Sequence, residues 1–346
     1  MSAPPAPRRT RESKEQQQQP AAEELVSAAA PPAMPPVLAQ VATMLGGQRP
    51  PDVVDIVRIP FWCARQSFWG LPFGDPFHCG VALPSETLGH ILSFLGGHTL
   101  KLSNYRIVDV TPLGHLTQLQ FLDLCNNQIV VTPLHHLTQL QFLDLCNNQL
   151  VNITPLSHLT RLKKLYLDGN YIVDVTPLSN LTQLKDLTLH NNQIVDVASL
   201  GNLTQLEELA LGDNDIMDIT PLSHLTQLKE LHLSMNQLAD IAPLRHLVQL
   251  RSLDISDNSV ANIAPLGHLT QLGEIFLCGN IIVDVTPLSH LTQLQCLDLH
   301  SNQIVDVTPL GHLTQLEELR VRGNPIVDVT PLLQLTQLQD LDLNHI

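Results

Sequence analysis

One phrase, Leu-x-x-Leu-x-Leu-x-x-Asn, returns along this chain at almost fixed spacing and constrains its fold more than any other feature. From Leu119-x-x-Leu122-x-Leu124-x-x-Asn127, the Asn recurs at Asn148, Asn170, Asn192, Asn214, Asn236, Asn258, Asn280, Asn302 and Asn324. The first step is 21 residues and every later one is 22. A degenerate copy precedes, with Leu100, Leu102 and Tyr105 at the Asn position, and another follows with Leu338, Leu341 and Leu343. A unit of this length cannot close a core alone, so the copies must stack and bury one another.

Within one copy, Leu165-x-Leu167 has the period of two expected of a strand with one buried face. Asn170 follows at the turn, where its amide can satisfy backbone groups of its own and neighbouring coils. In Thr176-Pro177-Leu178, Thr reads as an N-cap and Pro as the first helical residue, where its missing N–H costs no bond. Leu178, Leu181 and Leu184 then recur every three residues, the period of a 3₁₀ helix. Each copy therefore predicts strand, Asn turn, short 3₁₀ segment and return.

Composition narrows the function. Aromatics make up 4% and charged residues 15%, and the formal charge is −15. From Gly97 onward there are 11 Lys and Arg against 25 Asp and Glu, so almost all the excess lies in the repeats. Phosphate backbones need clustered Lys and Arg, which argues against nucleic acid as a partner. No run of 18 apolar residues predicts a membrane span. The basic stretch Met1 to Lys14 leads into no apolar core of a signal peptide, so the expected compartment is the cytoplasm, or the nucleus. Six Cys show neither CxxC nor zinc-finger spacing.

Four segments are expected. Residues 1–48, rich in Pro, Gln and Ala, read as a disordered tail. Residues 49–82 hold Phe61, Trp62, Phe68, Trp69, Phe73 and Phe77 and read as an aromatic linker or cap. Residues 83–96 read as an amphipathic capping helix, and 97–346 as the repeats.

The phrase Asn-x-Ile-x-Asp-Val-Thr-Pro-Leu-x-x-Leu-Thr-x-Leu, at Asn170–Leu184 and Asn302–Leu316, resembles the 22-residue repeats of the internalins. More loosely it resembles the leucine-rich regulatory subunit of protein phosphatase 1. The resemblance spans residues 97–346. It implies an α/β-class leucine-rich-repeat fold, a right-handed solenoid or horseshoe of about eleven coils. Parallel β-strands would line the concave face, and short 3₁₀ segments the convex side. A second resemblance is shorter. Leu83, Pro84 and Glu86, followed by Leu88, Ile91, Leu92 and Leu95 on one helix side, look like the opening of an F-box. In that family the helix docks on the adaptor of a cullin-type ubiquitin ligase. Gly96-Gly97 and the first repeat follow at once, leaving no room for further F-box helices, so a cap over the first coil explains the same residues.

Chemistry is sparse in the pattern. His115, His136, His158, His224, His246, His268, His290 and His312 recur after Pro-Leu, but Asn180, Asn202 and Gln334 fill the same slot. A copied exposed residue explains this ladder better than a metal site. Asp174 and its equivalents fit turn capping better than calcium. Cys125 and Cys146 occupy equivalent positions in neighbouring coils, where a disulfide is geometrically allowed but disfavoured in a reducing compartment. No nucleophile–base arrangement or phosphate loop stands out. The expectation is a non-enzymatic protein with neither cofactor nor metal.

The positions free to carry specificity flank the central Leu of each strand. One column contains Phe121, Phe142, Lys164, Asp186, Glu208, Glu230, Glu274 and Glu318; the other contains Tyr166, His232, Asp254, Phe276, Asp298 and Arg320. They predict an acidic stripe with aromatic islands, suited to a protein partner with a basic surface.

Overall fold

The computed structural model describes residues 98–343. The expected tail, aromatic segment and F-box-like helix, including Leu83 to Leu95, lie outside the described residues. Twelve three-residue strands, β1 (Thr99–Lys101) through β12 (Asp340–Asp342), form one parallel sheet in strict chain order. Register is in phase throughout: Leu122 faces Leu143, Leu143 faces Leu165, and Leu165 faces Leu187. The degenerate first and last copies both contribute strands. Among the described residues the sheet therefore has twelve strands, and eleven 3₁₀ segments connect them, in line with about eleven coils.

The core is one continuous column of Leu, Ile and Val. A single coil supplies Leu165, Leu167, Ile172, Val175, Leu178, Leu181 and Leu184, all buried. Each of these contacts needs the coil above or below. Stacking is therefore the only way the apolar face leaves water. The three-residue recurrence corresponds to successive 3₁₀-type bonds, with Leu181 N–H on Leu178 O and Leu184 N–H on Leu181 O, at 2.9 and 3.0 Å.

The Asn ladder is built as its position requires. Asn214 Nδ2 donates to the carbonyls of Leu211 in its own coil and Leu189 in the preceding one, both at 3.0 Å, and to Gly212 at 3.2 Å. Its Oδ1 accepts the Ile194 N–H at 3.0 Å. One side chain thus pairs backbone groups of two coils that no strand could reach.

The helix caps differ from the sequence expectation. Thr176 is the first residue of its 3₁₀ segment, not the cap, and Val175 precedes it without a side-chain capping bond. The oxygen comes from two residues earlier: Asp174 Oδ1 accepts the Thr176 N–H at 2.8 Å. Asp218, Asp284, Asp306 and Asp328 do the same. Asp196 makes the same bond to the Ala198 N–H where Ser199 stands in place of Pro, so the Asp turn itself sets this cap. Hydrogen bonding to the Thr hydroxyl and N–H holds the Asp174 carboxyl below its ordinary range.

Candidate protein-binding face

Parallel pairing in register turns sequence positions into columns running across the sheet. Asp186 faces Glu208, Glu208 faces Glu230, Glu230 faces Ser252, and Ser252 faces Glu274. In the second column Tyr166 faces Thr188, and His232 faces Asp254, which faces Phe276. All the residues expected on this face lie on it, but they are not equivalent.

At the N-terminal end the aromatics form one island. Phe121 and Phe142 stack at 4.0 Å between centroids, nearly parallel, and Tyr166 meets Phe142 edge-on at 5.2 Å. The Lys101 ammonium sits 5.4 Å from the Phe121 ring centre. Such arrangements expose broad apolar area with few rotamers to freeze, the property of interface anchors.

Two acids of the expected stripe are buried. Asp186 is only 5% exposed; Lys164 Nζ lies 2.7 Å from its Oδ2, and the Tyr166 hydroxyl donates to the same oxygen at 2.8 Å. Burial and the Asp186 charge push the Tyr166 phenol well above its usual range. Asp298 is likewise buried, with His300 Nδ1 at 2.7 Å and Arg320 at 3.6 Å. A carboxylate on a crowded sheet face recruits the nearest donors instead of staying in water. Glu208 and Glu274, by contrast, are exposed. Partial desolvation and then the Asp186 and Glu230 charges raise the Glu208 carboxyl.

Towards the C-terminal end, burial lowers the His232 imidazole below its ordinary value, and its ring lies 6.1 Å from that of His190. Glu318 is 3.4 Å from Arg320. Phe276 is half-buried and makes no ring contact among the described residues, so it stands apart from the Phe121 island.

One feature escaped the sequence reading, and another was legible only as a pair of neighbouring cysteines. Val130, Val151, Val173, Val195 and Met217, and later Val283, Val305 and Val327, are exposed at one position of successive coils. The signal was the second x of Asn-x-Ile-x-Asp, apolar in nearly every copy although outside the core. The other is a column just past the strand ends, containing Cys125, Cys146, Asp168 and His190 in four consecutive coils. The Cys125, Asp144 and Cys146 ligand atoms lie within 4.8 Å of one another, as do those of Cys278, Asp298 and His300. All four described Cys are free thiols. The Cys125 contact, burial and the Asp168 and Asp144 charges push the Cys146 thiol far up. Burial pushes Cys278 and Cys296 up to about 11.

This geometry has clear relatives. The family profile "Leucine Rich repeats (2 copies)" matches residues 138–180, 160–202, 182–224, 204–246 and 292–334, and "Leucine Rich Repeat" matches 118–140. The chain is 33% identical to the internalin inlF of Listeria monocytogenes, covering 71% of this chain and 80% of that one at a TM-score of 0.68. It is 25% identical to the leucine-rich-repeat protein LIC12759 of Leptospira interrogans, over 76% and 75% of the two chains, at a TM-score of 0.62. TLR13, solved in complex with ssRNA13, is 26% identical over 75% of this chain and 41% of its own length, at a TM-score of 0.60. No curated protein sequence matches significantly. The chain belongs to the leucine-rich-repeat proteins and carries repeats of the internalin type. That fold class defines an interaction module. Among the described residues, no helix is long and apolar enough to cross a membrane.

Proposed function

We propose that this protein is a non-enzymatic binding module that grips a protein partner with a basic surface on the sheet face. The observation that carries this reading is the combination on one face of exposed Glu208 and Glu274 with the packed Phe121–Phe142–Tyr166 island. Glu208 stands between Asp186 and Glu230, a like-charge row that gains nothing for folding, and Glu274 adds a further exposed charge beside Ser252. A cationic partner relieves their repulsion and is steered in by it, while the aromatics hold it. An RNA ligand such as TLR13 holds is disfavoured by the same acids, because a phosphate chain would meet carboxylates where it needs Lys and Arg.

The F-box-like residues Leu83 to Leu95 support a second reading, a substrate receptor of a cullin ligase in which the repeats select the substrate. Affinity purification from the native cell identifies the partner, and titration with the isolated partner then tests the face. Partner binding weakened by Glu208→Lys with Glu274→Lys supports the first reading; unchanged binding refutes it. Co-purification of a cullin adaptor, lost on replacing Leu88, Ile91 and Leu92 with Ala, supports the second; its absence from the wild type removes that reading.

A further inference from the structure

We infer that Cys125, Cys146 and Asp144 form a binding site for a thiophilic divalent cation of the Zn²⁺ class. The backbone ladder continues past the strand ends, with Leu124 N–H on Asp144 O at 2.9 Å and Asn126 N–H on Cys146 O at 2.8 Å. That pairing makes Cys125 and Cys146 register neighbours, and their sulfurs and an Asp144 oxygen converge within 4.8 Å. A tetrahedral zinc with sulfur at about 2.3 Å and oxygen at about 2.1 Å needs ligand atoms roughly 3.3–3.8 Å apart. All three residues are half-buried, so their side chains are free to close on an ion by rotation, with the second Asp144 oxygen left over from its bond to the Cys146 N–H.

The charge around the site points the same way. Asp123, Asp144 and Asp168 stand in successive coils, and none is paired with a Lys or Arg among the described residues. The Cys146 thiol already donates to Asp168 Oδ2 at 3.5 Å. Asp168 is itself fixed by the Thr188 hydroxyl and the His190 N–H, both at 2.7 Å. Its charge adds to the negative field that attracts a cation, and its bond from the Cys146 thiol is given up when that sulfur ligates. The second cluster, Cys278, Asp298 and His300, lacks this character, because Arg320 is within 3.6 Å of Asp298 and His300 occupies the other carboxylate oxygen. Two sulfurs with one carboxylate select zinc, cobalt or copper over calcium and magnesium. On binding, each thiol releases its proton to water as its sulfur bonds the metal, and a water completes the fourth position.

The test is titration of the reduced, chelator-treated full chain with Co²⁺, which reports thiolate ligation by near-ultraviolet charge-transfer absorption. One Co²⁺ per chain is expected, displaced by Zn²⁺. Cys125→Ser with Cys146→Ser should abolish the signal. Asp144→Asn should weaken affinity roughly tenfold or more. Cys278→Ser should leave binding unchanged, as should Cys63→Ser with Cys79→Ser. Asp144→Asn preserves an acceptor for the Cys146 N–H, so a folded variant remains available if the Cys pair proves fragile, and circular dichroism of each variant without metal checks this. Absence of the band from the wild type overturns the site. So does its survival in the folded Cys125/Cys146 variant, or undiminished affinity in Asp144→Asn.

Discussion

The Tyr166 hydroxyl donates to Asp186 Oδ2 across one coil at 2.8 Å, to the same oxygen that Lys164 Nζ approaches at 2.7 Å. Asp186 therefore belongs to the fold, whereas Glu208, its register neighbour, does not. Asp186→Ala should destabilise by about 1–3 kcal/mol, towards the lower end because Lys164 keeps contact with water. Glu208→Ala should fall within about 0.5 kcal/mol of wild type. Parallel denaturant titrations measure the difference, and equal midpoints would show that Asp186 carries no more structural weight than Glu208.

Asn214→Ala removes three donated bonds and the acceptor for Ile194 N–H. Each buried group left unpaired costs about 1–3 kcal/mol, so loss of a few kcal/mol is expected. His224, exposed on the 3₁₀ side, should tolerate Gln within about 0.5 kcal/mol. Thermal melts in which the two variants behave alike would contradict the ladder.

Met235 holds φ at +54° immediately before Asn236, where the equivalent residues are Asn126, Asn147, Asn191, Asp213, Asp257, Ser301, Gly169, Gly279 and Gly323. A left-handed backbone costs most residues roughly 1–2 kcal/mol and Asn less. Met235 is also 55% exposed, so its side chain contributes little packing. Met235→Asn should raise stability by about 0.5–1 kcal/mol, read as a higher melting midpoint. Gly279→Ala should lower it, because its Cβ would clash with the Asp257 carboxylate at a φ of +64°.

Glu207 lies between Lys185 and Lys229, and their hydrogen bonds hold its carboxyl down at about 2 against an ordinary 4.5. A depressed carboxylate contributes stability that is complete above 4.5 and lost as pH falls towards 2. Both lysines are largely solvated, so the contribution at neutral pH is under about 1 kcal/mol. Glu207→Gln should be slightly less stable than wild type at pH 7, with the gap closing on acidification. A gap that widened would reverse the sign of the coupling.

The repeat made most of the fold legible. Period, Asn ladder, strand position and 3₁₀ return all follow from which residues recur, because each copy faces the same stacking constraint. The columns of the sheet face were legible for the same reason. Burial within those columns was not: Asp186 and Glu208 hold equivalent positions, and only the Tyr166 and Lys164 side chains separate them. The Asp turn caps were legible in the repeat, whereas Thr176 reads as a cap only until its own N–H is seen to be the donor that Asp174 accepts. Cys125 and Cys146 were legible as coil neighbours from the repeat register, but Asp144 as a third ligand was not, because only the folded coil brings its carboxyl beside both sulfurs. The exposed Val stripe was passed over because a β-branched residue in an extended return attracts no notice until its solvent exposure is known.

The central claim, that a basic protein partner binds the sheet face, is tested most directly by stopped-flow association of the isolated partner at several salt concentrations. The chains to compare are wild type, Glu208→Lys with Glu274→Lys, and a control of Thr204→Lys with Thr226→Lys on the exposed return segments. The charge change is larger in the acidic pair, so the decisive quantity is the salt slope rather than the rate alone. The account predicts that the acidic pair loses association rate and most of its salt dependence while the control keeps both. Normal, salt-dependent association by the Glu208/Glu274 variant, with impaired association by the Thr204/Thr226 control, would place the partner on another face.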